Sequence, residues 1–490
     1  MRTRKDAWKI PATDQTLVWY AKAIAEMKKR PITDPTSWRY QAAVHDYVSG
    51  DDPLATHGEA LPTPSDQQTF WARCQHGSWF FLPWHRAYLF YFEHILRQII
   101  QKLGGPSDWA LPYWNYSDPS NSSARCLPPL FWAPKLPDGT ANPLLVSERV
   151  NGANSGHQIG TPADAENSTC LGKPLFINNS TGGATGFGGG RTGFSHAGGV
   201  TGGCEAVPHN TMHGAVGGPT GWMSAFNTAP LDPIFWLHHA NLDRLWVVWL
   251  KGNSKHVNPT MAAWLTAVRF GFHDAGGSVV SITPSQVLDT RDALLDYMYE
   301  DESDPLHTAG PAVAPLAART TMEIQRIPEM VGATDTQQAI TLGQESSSVQ
   351  FALQAPTGPA LTLDAADSTV PREVHLNIEN ITATGRPIES YEVYVNVPDG
   401  DTPENHPELM AGLIPRFGIF EASRPTLEHA GDGLNYAFDI TAVVAGLQKL
   451  GKWDPSNIRI TFVPHRSEAE RTAATSTLPI RIGRVSLYFA

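Results

Sequence analysis

The chain has 490 residues, of which 41% are apolar and 17% charged, and its 36 basic and 48 acidic side chains give a formal net charge of −12. This length exceeds the usual size of one domain, about 100–200 residues, so we expect two or three domains. The acidic balance, without a basic cluster, argues against nucleic acid as a partner, and no stretch approaches the ~20 consecutive apolar residues of a membrane-spanning helix.

The start of the chain carries positive charge in Arg2, Arg4 and Lys5, but no apolar segment follows it. A secretory signal would place such a segment there. We therefore expect a soluble, cytoplasmic protein that does not enter a membrane, and the sequence leaves its oligomeric state open.

Residues 1–300 differ in composition from the rest, since fourteen of the fifteen tryptophans and all four cysteines lie there. Three stretches in this part place apolar residues three or four apart over at least three turns, which predicts helices. These stretches are Asp34–Val48, Pro83–Leu103 and Asp232–Leu250. Between them Thr181–Gly203 contains eleven glycines and almost no aliphatic residue, which predicts a surface loop.

The chain changes character after Tyr299. The segment Glu300–Arg319 is acidic and then rich in proline and alanine, which is typical of a linker between domains. Farther on, apolar and polar residues alternate around Val374–Ile378, Ile458–Phe462 and Ile480–Phe489, as in half-buried strands. We therefore predict a mainly α domain at 1–300, a linker at 301–319 and an all-β sandwich or barrel-like domain at 320–490.

Histidines are concentrated early, with eleven of the eighteen in the first 250 residues. A single histidine on an apolar helix is usually a satisfied core residue, but His209 and His213 are four residues apart and project from one helix face. Such pairs also arise by chance on exposed helices. A third metal ligand could come from His238 or His239, whose side chains point about 100° apart, so that only one can face the metal.

A second group of histidines lies upstream: His45 on a predicted helix, His76 in a loop, and His85 at the start of the next helix. Two groups of three neutral imidazoles, without a thiolate cluster or a Glu-x-x-His pattern, favour copper over di-iron or magnesium. Nitrogen-rich sites also suit zinc, but an open six-imidazole pair is unlike a closed structural zinc site. The pattern therefore predicts a two-copper centre.

Two segments resemble the copper signatures of the tyrosinase, catechol oxidase and hemocyanin family. They run from His76 to Leu89 (HGSWFFLPWHRAYL) and from Asp232 to Arg244 (DPIFWLHHANLDR), and the ALPYWNY stretch from Ala110 also fits the family's pattern. The resemblance covers roughly residues 1–300, and the whole chain resembles bacterial tyrosinases with a C-terminal β-domain. It implies a helix bundle around a dicopper site in which each copper is bound by three histidines: His45, His76 and His85 for the first, and His209, His213 and His239 for the second.

The same resemblance implies the chemistry. Two copper ions would use dioxygen as co-substrate to hydroxylate small monophenols such as tyrosine and to oxidise catechol-like o-diphenols to o-quinones. A catechol oxidase or an o-aminophenol oxidase without monophenol activity is the alternative within enzymes. A hemocyanin-like oxygen-binding protein is the alternative outside them, because it uses the same six histidines.

Further residues have family counterparts. Cys74 stands two residues before His76, where phenol oxidases of plants and fungi carry a thioether between the two side chains; otherwise Cys74 is a buried thiol. Glu205 and Asn210 resemble the pair that holds a water acting as base for monophenols, although the family's Glu usually lies farther upstream. The alternative is that Glu205 begins a helix and Asn210 makes a local turn contact.

Two residues flank His239 at a spacing of four, Phe235 before it and Asp243 after it. Phe235 resembles the family's aromatic gate above the copper pair, or is a core aromatic. Asp243 could accept a hydrogen bond from an imidazole N–H and fix that ring, or pair with a basic neighbour. In family members with a C-terminal β-domain, that domain covers the copper pocket with an inserted side chain, for which Phe417–Phe420 is our candidate segment.

Overall fold

The computed structural model describes residues 1–177, 182–183, 185–194, 196–306, 328–336, 338–354, 373–426, 429–466 and 478–490. Residues 307–319 of the predicted linker lie outside this set. The helices of the first part are α1 (Thr16–Lys28), α2 (Trp38–His45), α3 (Pro64–Phe70), α4 (Phe81–Lys102), α5 (Ser168–Leu171), α6 (Thr211–Gly217), α7 (Ile234–Gly252) and α8 (Ala262–Leu265). None of the described helices is long and apolar enough to cross a membrane.

The three predicted helices are present as α2, α4 and α7. α2 is shorter than predicted because the Ser37 side chain accepts a hydrogen bond from the backbone N–H of Tyr40 at its start, which caps the helix there. α4 begins before Pro83, which is tolerated in a first turn because the N–H it lacks has no partner there. Asp232 stands just before α7 and accepts the Ile234 N–H at 3.1 Å.

Helices α4 and α7 pack side by side. The Phe92 and Trp236 rings are stacked with their centroids 3.4 Å apart, and a buried ion pair joins Arg86 to Asp243. Because α4 carries His85 and α7 carries His239, this contact sets the distance between the two imidazoles.

The prediction that the glycine-rich segment Thr181–Gly203 is a surface loop is wrong for much of the segment. Described residues 185–190 are buried, and a Cβ on Gly186 would lie 2.5 Å from the carbonyl oxygen of Phe176. Glycine is therefore used there for close backbone approach rather than for exposure.

The strands are short in the first part and longer in the second. The first part contains β1 (Arg2–Arg4), β2 (Gly199–Val200), β3 (Phe270–His273), β4 (Val279–Ile282) and β5 (Tyr297–Tyr299). The second contains β6 (Glu329–Ala333), β7 (Ile340–Leu342), β8 (Ser347–Phe351), β9 (Val374–Ala383), β10 (Ser390–Val395), β11 (Met410–Ile414), β12 (Leu434–Asp439), β13 (Ile458–His465) and β14 (Ile480–Phe489). The three predicted strand regions correspond to β9, β13 and β14.

Two sheets form the second part, one in the order β11-β10-β13-β8 and one in the order β2-β12-β9-β14-β6, with β7 also on β14. The description as all-β needs a correction, because helices α9 (Ile419–Ala422) and α10 (Thr441–Lys449) lie among these strands. α9 lies between β11 and β12, and α10 lies between β12 and β13. The alternation of apolar and polar residues is interrupted at both places.

The two parts of the chain are joined by a shared sheet. β2 comes from the glycine-rich segment of the first part and pairs in parallel with β12, with Gly199 opposite Leu434 and Val200 opposite Asn435. His465 adds a partly buried polar contact, since its ring nitrogens lie 3.2 Å from Asp164 and 2.8 Å from Glu392. Burial lowers the pKa of His465, but hydrogen bonds to these two carboxylates outweigh it and raise the pKa to about 10.

Candidate metal centre

The three upstream histidines lie together. His45 ends α2, His76 lies in the loop before α4, and His85 is in the second turn of α4. Their ring centroids are 5.2 Å apart for His45 and His76, 5.3 Å for His76 and His85, and 5.7 Å for His45 and His85. The three rings are buried and form the first trio.

The downstream histidines form a second trio beside the first. His209 lies in a π-helical turn, Glu205–Asn210, that leads into α6, and His213 follows on α6. Their ring centroids are 4.6 Å apart, and those of His209 and His239 are 5.0 Å apart. The Nε2 atoms of His213 and His239 are 3.4 Å apart, so both rings point into the same space.

The helical spacing predicts that only one of the adjacent residues His238 and His239 lies near the second trio, but both do. His238 also lies near the second trio, with ring centroids 5.4 Å from His209 and 4.9 Å from His213. His239 alone of the pair also contacts the first trio, because its ring stacks on His85 with centroids 4.4 Å apart. This central place distinguishes His239 from His238.

Burial keeps these imidazoles neutral. It lowers the pKa of His85 and His213 to about 3, and it lowers the pKa of the other four well below the usual value. The Nδ1 atoms of His45, His85 and His213 lie 2.8–2.9 Å from backbone carbonyl oxygens of Phe226, Phe81 and Met223. Nδ1 therefore carries the proton in these three rings, and Nε2 keeps its lone pair.

Several lone pairs have no hydrogen-bond partner among the described residues. They include the buried Nε2 atoms of His45, His76, His85 and His209, and both ring nitrogens of the neighbouring His238 also lack a partner among the described residues. A buried polar atom without a partner is costly unless a ligand or a metal satisfies it. Neutral imidazoles whose Nδ1 is held by a carbonyl are the usual form of a histidine metal ligand, so the cluster fits a metal that prefers nitrogen.

Comparisons with known proteins agree with this site. The family model for the common central domain of tyrosinase matches residues 35–252, and the model for a domain of unknown function (DUF7868) matches residues 327–490. Tyrosinase HcTyr1 of Hahella sp. (strain CCB-MM4) is 38% identical over 506 aligned residues, which cover 100% of this chain and 99% of that protein. The chain belongs to the tyrosinase family. The resemblance predicted from the two copper signatures is thereby confirmed.

Plant polyphenol oxidases and a plant tyrosinase also match along most of the chain. The latent form of chloroplastic polyphenol oxidase from Prunus armeniaca is 28% identical over 94% of this chain and 72% of its own. The solved structure of latent apple tyrosinase has a TM-score of 0.65 at 23% identity and covers 100% of this chain and 97% of that one, which establishes a shared fold. Proteins of this family are phenol-oxidising copper oxidoreductases, and this chain is an oxidoreductase of that class.

The Cys74 thiol lies between two histidines. Its Sγ is 3.3 Å from Nδ1 of His76 and 3.1 Å from Nδ1 of His196. Nε2 of His196 is in turn 3.3 Å from the Asp46 carboxylate. The expected partner of Cys74 is therefore within contact distance, while His196 is a neighbour that the sequence did not indicate, because it lies in the segment predicted as a surface loop.

Glu205 and Asn210 lie on either side of the π-helical turn that carries His209. One oxygen of Glu205 accepts the backbone N–H of Gly77 at 2.8 Å, and the other has no hydrogen-bond partner among the described residues. Burial raises the pKa of Glu205 to about 8. Oδ1 of Asn210 lies 2.7 Å from Nδ1 of His209, and Nδ2 of Asn210 donates to the Tyr436 hydroxyl at 3.2 Å.

Phe235 and Asp243 occupy different surroundings. Phe235 packs against both trios, with ring centroids 5.1 Å from His45 and 4.2 Å from His239. Asp243 is buried, and none of its hydrogen bonds goes to an imidazole, which corrects its expected hydrogen bond to a metal-binding histidine. The reason is competition, since two arginines and two tyrosines occupy its oxygens: Arg4, Arg86, Tyr297 and Tyr299.

A side chain from the second part of the chain lies on the cluster. Phe417 is 1% exposed, and its ring stacks on His213 with centroids 3.9 Å apart and planes inclined by 12°. It also packs against Phe226 at 4.8 Å. Of the candidate segment Phe417–Phe420, the first residue reaches the histidines. Phe226 and Tyr436 carried no sequence signal, because each contacts the site only through long-range packing.

Proposed function

We propose that this chain is a dicopper phenol oxidase that uses dioxygen to hydroxylate monophenols and to oxidise o-diphenols to o-quinones. The observation that carries the proposal is the convergence of two adjoining trios of buried, neutral imidazoles. Four of them, His45, His76, His85 and His209, have an Nε2 atom without a hydrogen-bond partner among the described residues. One copper ion is held by His45, His76 and His85, and the other by His209, His213 and His239.

The chemistry of the donors selects the metal. All six proposed ligands are imidazoles, which suit copper better than the harder ions that prefer carboxylates. When bound, the two copper ions supply the electrons that dioxygen accepts. The protein holds the ligands still, because backbone carbonyls fix the rings of His45, His85 and His213 before any metal arrives.

The position of Phe417 supports an aromatic substrate. Its ring shows that a flat six-membered ring fits against His213, and face-to-face offset stacking of aromatic rings is favourable. A small phenol can take this position once Phe417 has left it. Phe235 and Phe226 then form apolar walls that exclude water from the ring.

Monophenols need a base to remove the phenolic proton, and Glu205 is the proposed group. Its free oxygen is buried, and a pKa raised to about 8 makes its carboxylate form a stronger base than an ordinary carboxylate, although that form is the minor one at neutral pH. Asn210 holds the neighbouring His209 through Oδ1. We assign to this pair the handling of a water that takes the proton from the substrate; o-diphenols depend on it less.

The full chain is proposed to be a latent form. Phe417 fills the place next to His213, and three contacts hold its segment on the first part of the chain. These are the β2–β12 pairing, the hydrogen bond of 2.5 Å from Arg416 to the Gly214 carbonyl, and the contact of His465 with Asp164. Substrate therefore reaches the histidines only when this segment moves or is removed.

Metal analysis with turnover assays tests the proposal on two histidines of one helix. His85→Gln removes a proposed ligand, whereas His94→Gln removes a half-buried imidazole of α4 that packs on Phe90. Because the full chain is proposed to be latent, catechol turnover is compared in a Phe417→Ala background. We expect about two copper ions per chain in the parent protein and in the His94 variant, and loss of copper and of catechol oxidation in the His85 variant. Equal copper content and turnover in all three proteins would refute the ligand assignment, and a protein without copper would refute the function.

A further inference from the structure

Four imidazoles of the candidate metal centre are held at Nδ1 by oxygen atoms of two different kinds. Backbone carbonyls hold His45, His85 and His213. His209 is held instead by a side-chain amide, that of Asn210, at 2.7 Å. A backbone carbonyl inside a helix or a packed loop cannot rotate, but an asparagine side chain turns about two bonds. The orientation of His209 thus depends on what holds Asn210.

The group that holds Asn210 belongs to the other part of the chain. The Tyr436 hydroxyl accepts a hydrogen bond from Nδ2 of Asn210 at 3.2 Å. Both side chains are buried, at 3% and 2% exposure, so water does not compete for the amide from bulk solvent. The two residues are 226 positions apart in the sequence.

Tyr436 is itself anchored. It lies on β12, where Leu434 and Asn435 pair with Gly199 and Val200 of the first part. The backbone N–H of Thr201 also donates to the Asn435 carbonyl at 3.4 Å. On its other side β12 pairs with β9, with Tyr436 opposite Ile378. A hydroxyl on a strand bonded along both edges has little freedom, and it provides a fixed second point for the amide.

We propose that Tyr436 is a positioning residue of the second metal site: by holding the Asn210 amide it orients His209, so that the C-terminal part of the chain completes the site that it also covers. This inference rests on the proposed role of His209 as a metal ligand. The C-terminal part thus has two separable effects. Phe417 blocks access to the site, and Tyr436 strengthens the hold of the site on its metal.

The test is the rate at which copper leaves the full-length protein in excess chelator. Tyr436→Phe removes one oxygen and keeps the ring. Groups that hold a metal-binding histidine directly change metal affinity by about 10–100-fold. Because Tyr436 acts through Asn210, we expect the lower end, with copper loss from the second site about tenfold faster. The matched control is Tyr391→Phe, which removes a hydroxyl bonded to the Gly343 carbonyl in the same part of the chain.

Introducing Tyr436→Phe into a protein that already carries Asn210→Ala shows whether Tyr436 affects copper loss through Asn210. In an Asn210→Ala protein there is no amide to hold, so adding Tyr436→Phe should change the rate of copper loss no further. The proposal is overturned if Tyr436→Phe loses copper at the wild-type rate, or if it accelerates the loss equally with and without Asn210. Thermal unfolding of the metal-free variants checks that folding is unaffected; if Tyr436→Phe is less stable, rates are compared equally far below each midpoint.

The variants also separate the two effects of the C-terminal part. Tyr436→Phe leaves Phe417 in place, so it should hasten copper loss without raising turnover, whereas Phe417→Ala should raise turnover. If the proposed function is wrong, the copper content of the wild-type protein will show it, because that protein will bind fewer than two copper ions per chain.

Discussion

Replacing Phe417 with alanine should activate the full-length protein. The ring is buried against His213 and Phe226, and full burial of a phenylalanine side chain stabilises by about 1.5–3 kcal/mol. Since every ~1.4 kcal/mol is a factor of ten in an equilibrium, this burial favours the covered arrangement by roughly tenfold to a hundredfold. We expect catechol turnover to rise by a similar factor, because the alanine no longer fills the place of a substrate ring.

The assay is the initial rate of oxygen uptake with catechol, measured on protein of known copper content. Phe420→Ala is the matched control, since Phe420 lies between Arg386 and Arg424 and not on the histidines. Loss of a buried ring also costs about 3–5 kcal/mol of stability, so the assay temperature must lie well below the unfolding midpoint. Clean proteolysis within residues 301–319, followed by removal of the C-terminal part, provides the fully uncovered reference.

Two results would refute this reasoning. If proteolysis activates the protein and Phe417→Ala does not, a different side chain blocks the site. If neither treatment changes turnover while copper is present, the full chain is not latent, and substrate reaches the histidines by a route that Phe417 does not obstruct.

Two further predictions concern carboxylates. Glu205 must be ionised to accept a proton, and burial raises its pKa to about 8, so the ratio of monophenol to diphenol turnover should rise with pH between about 6 and 9. Glu205→Gln should lower this ratio and abolish its rise with pH. Equal losses of turnover on both substrates would exclude the role of Glu205 as a base. Asp243→Asn breaks buried ion pairs with Arg4 and Arg86. It should lower the free energy of unfolding, measured with denaturant, by about 3–5 kcal/mol, while the folded protein keeps its copper. Loss of copper at unchanged stability would show instead that Asp243 holds a metal-binding imidazole.

The sequence predicts best what depends on short spacing. The period of apolar residues indicated α2, α4 and α7, and alternation indicated β9, β13 and β14, because side-chain direction within one element follows directly from residue number. The four-residue spacing of His209 and His213 likewise placed both rings on one side, with centroids 4.6 Å apart. Helix ends were predicted less well, since α2 is set by the Ser37 cap rather than by its apolar pattern.

Residue spacing gave a wrong prediction where distant side chains compete with a near one for the same hydrogen-bonding group. Asp243 is four residues from His239, as an imidazole-holding carboxylate would be, yet Arg4 and Arg86 occupy its oxygens from 239 and 157 residues away. The glycine-rich segment read as an exposed loop, because composition does not show that another backbone lies within contact distance of Gly186.

By itself the sequence determined the histidine pairs, the two copper signatures and the change from helical to β pattern, all of which are set by covalent spacing along the chain. Only the tertiary structure decided that Phe417 lies on His213 and that Tyr436 holds Asn210. These contacts join residues about two hundred positions apart, and such neighbours are chosen by the packing of whole elements, which no local period records.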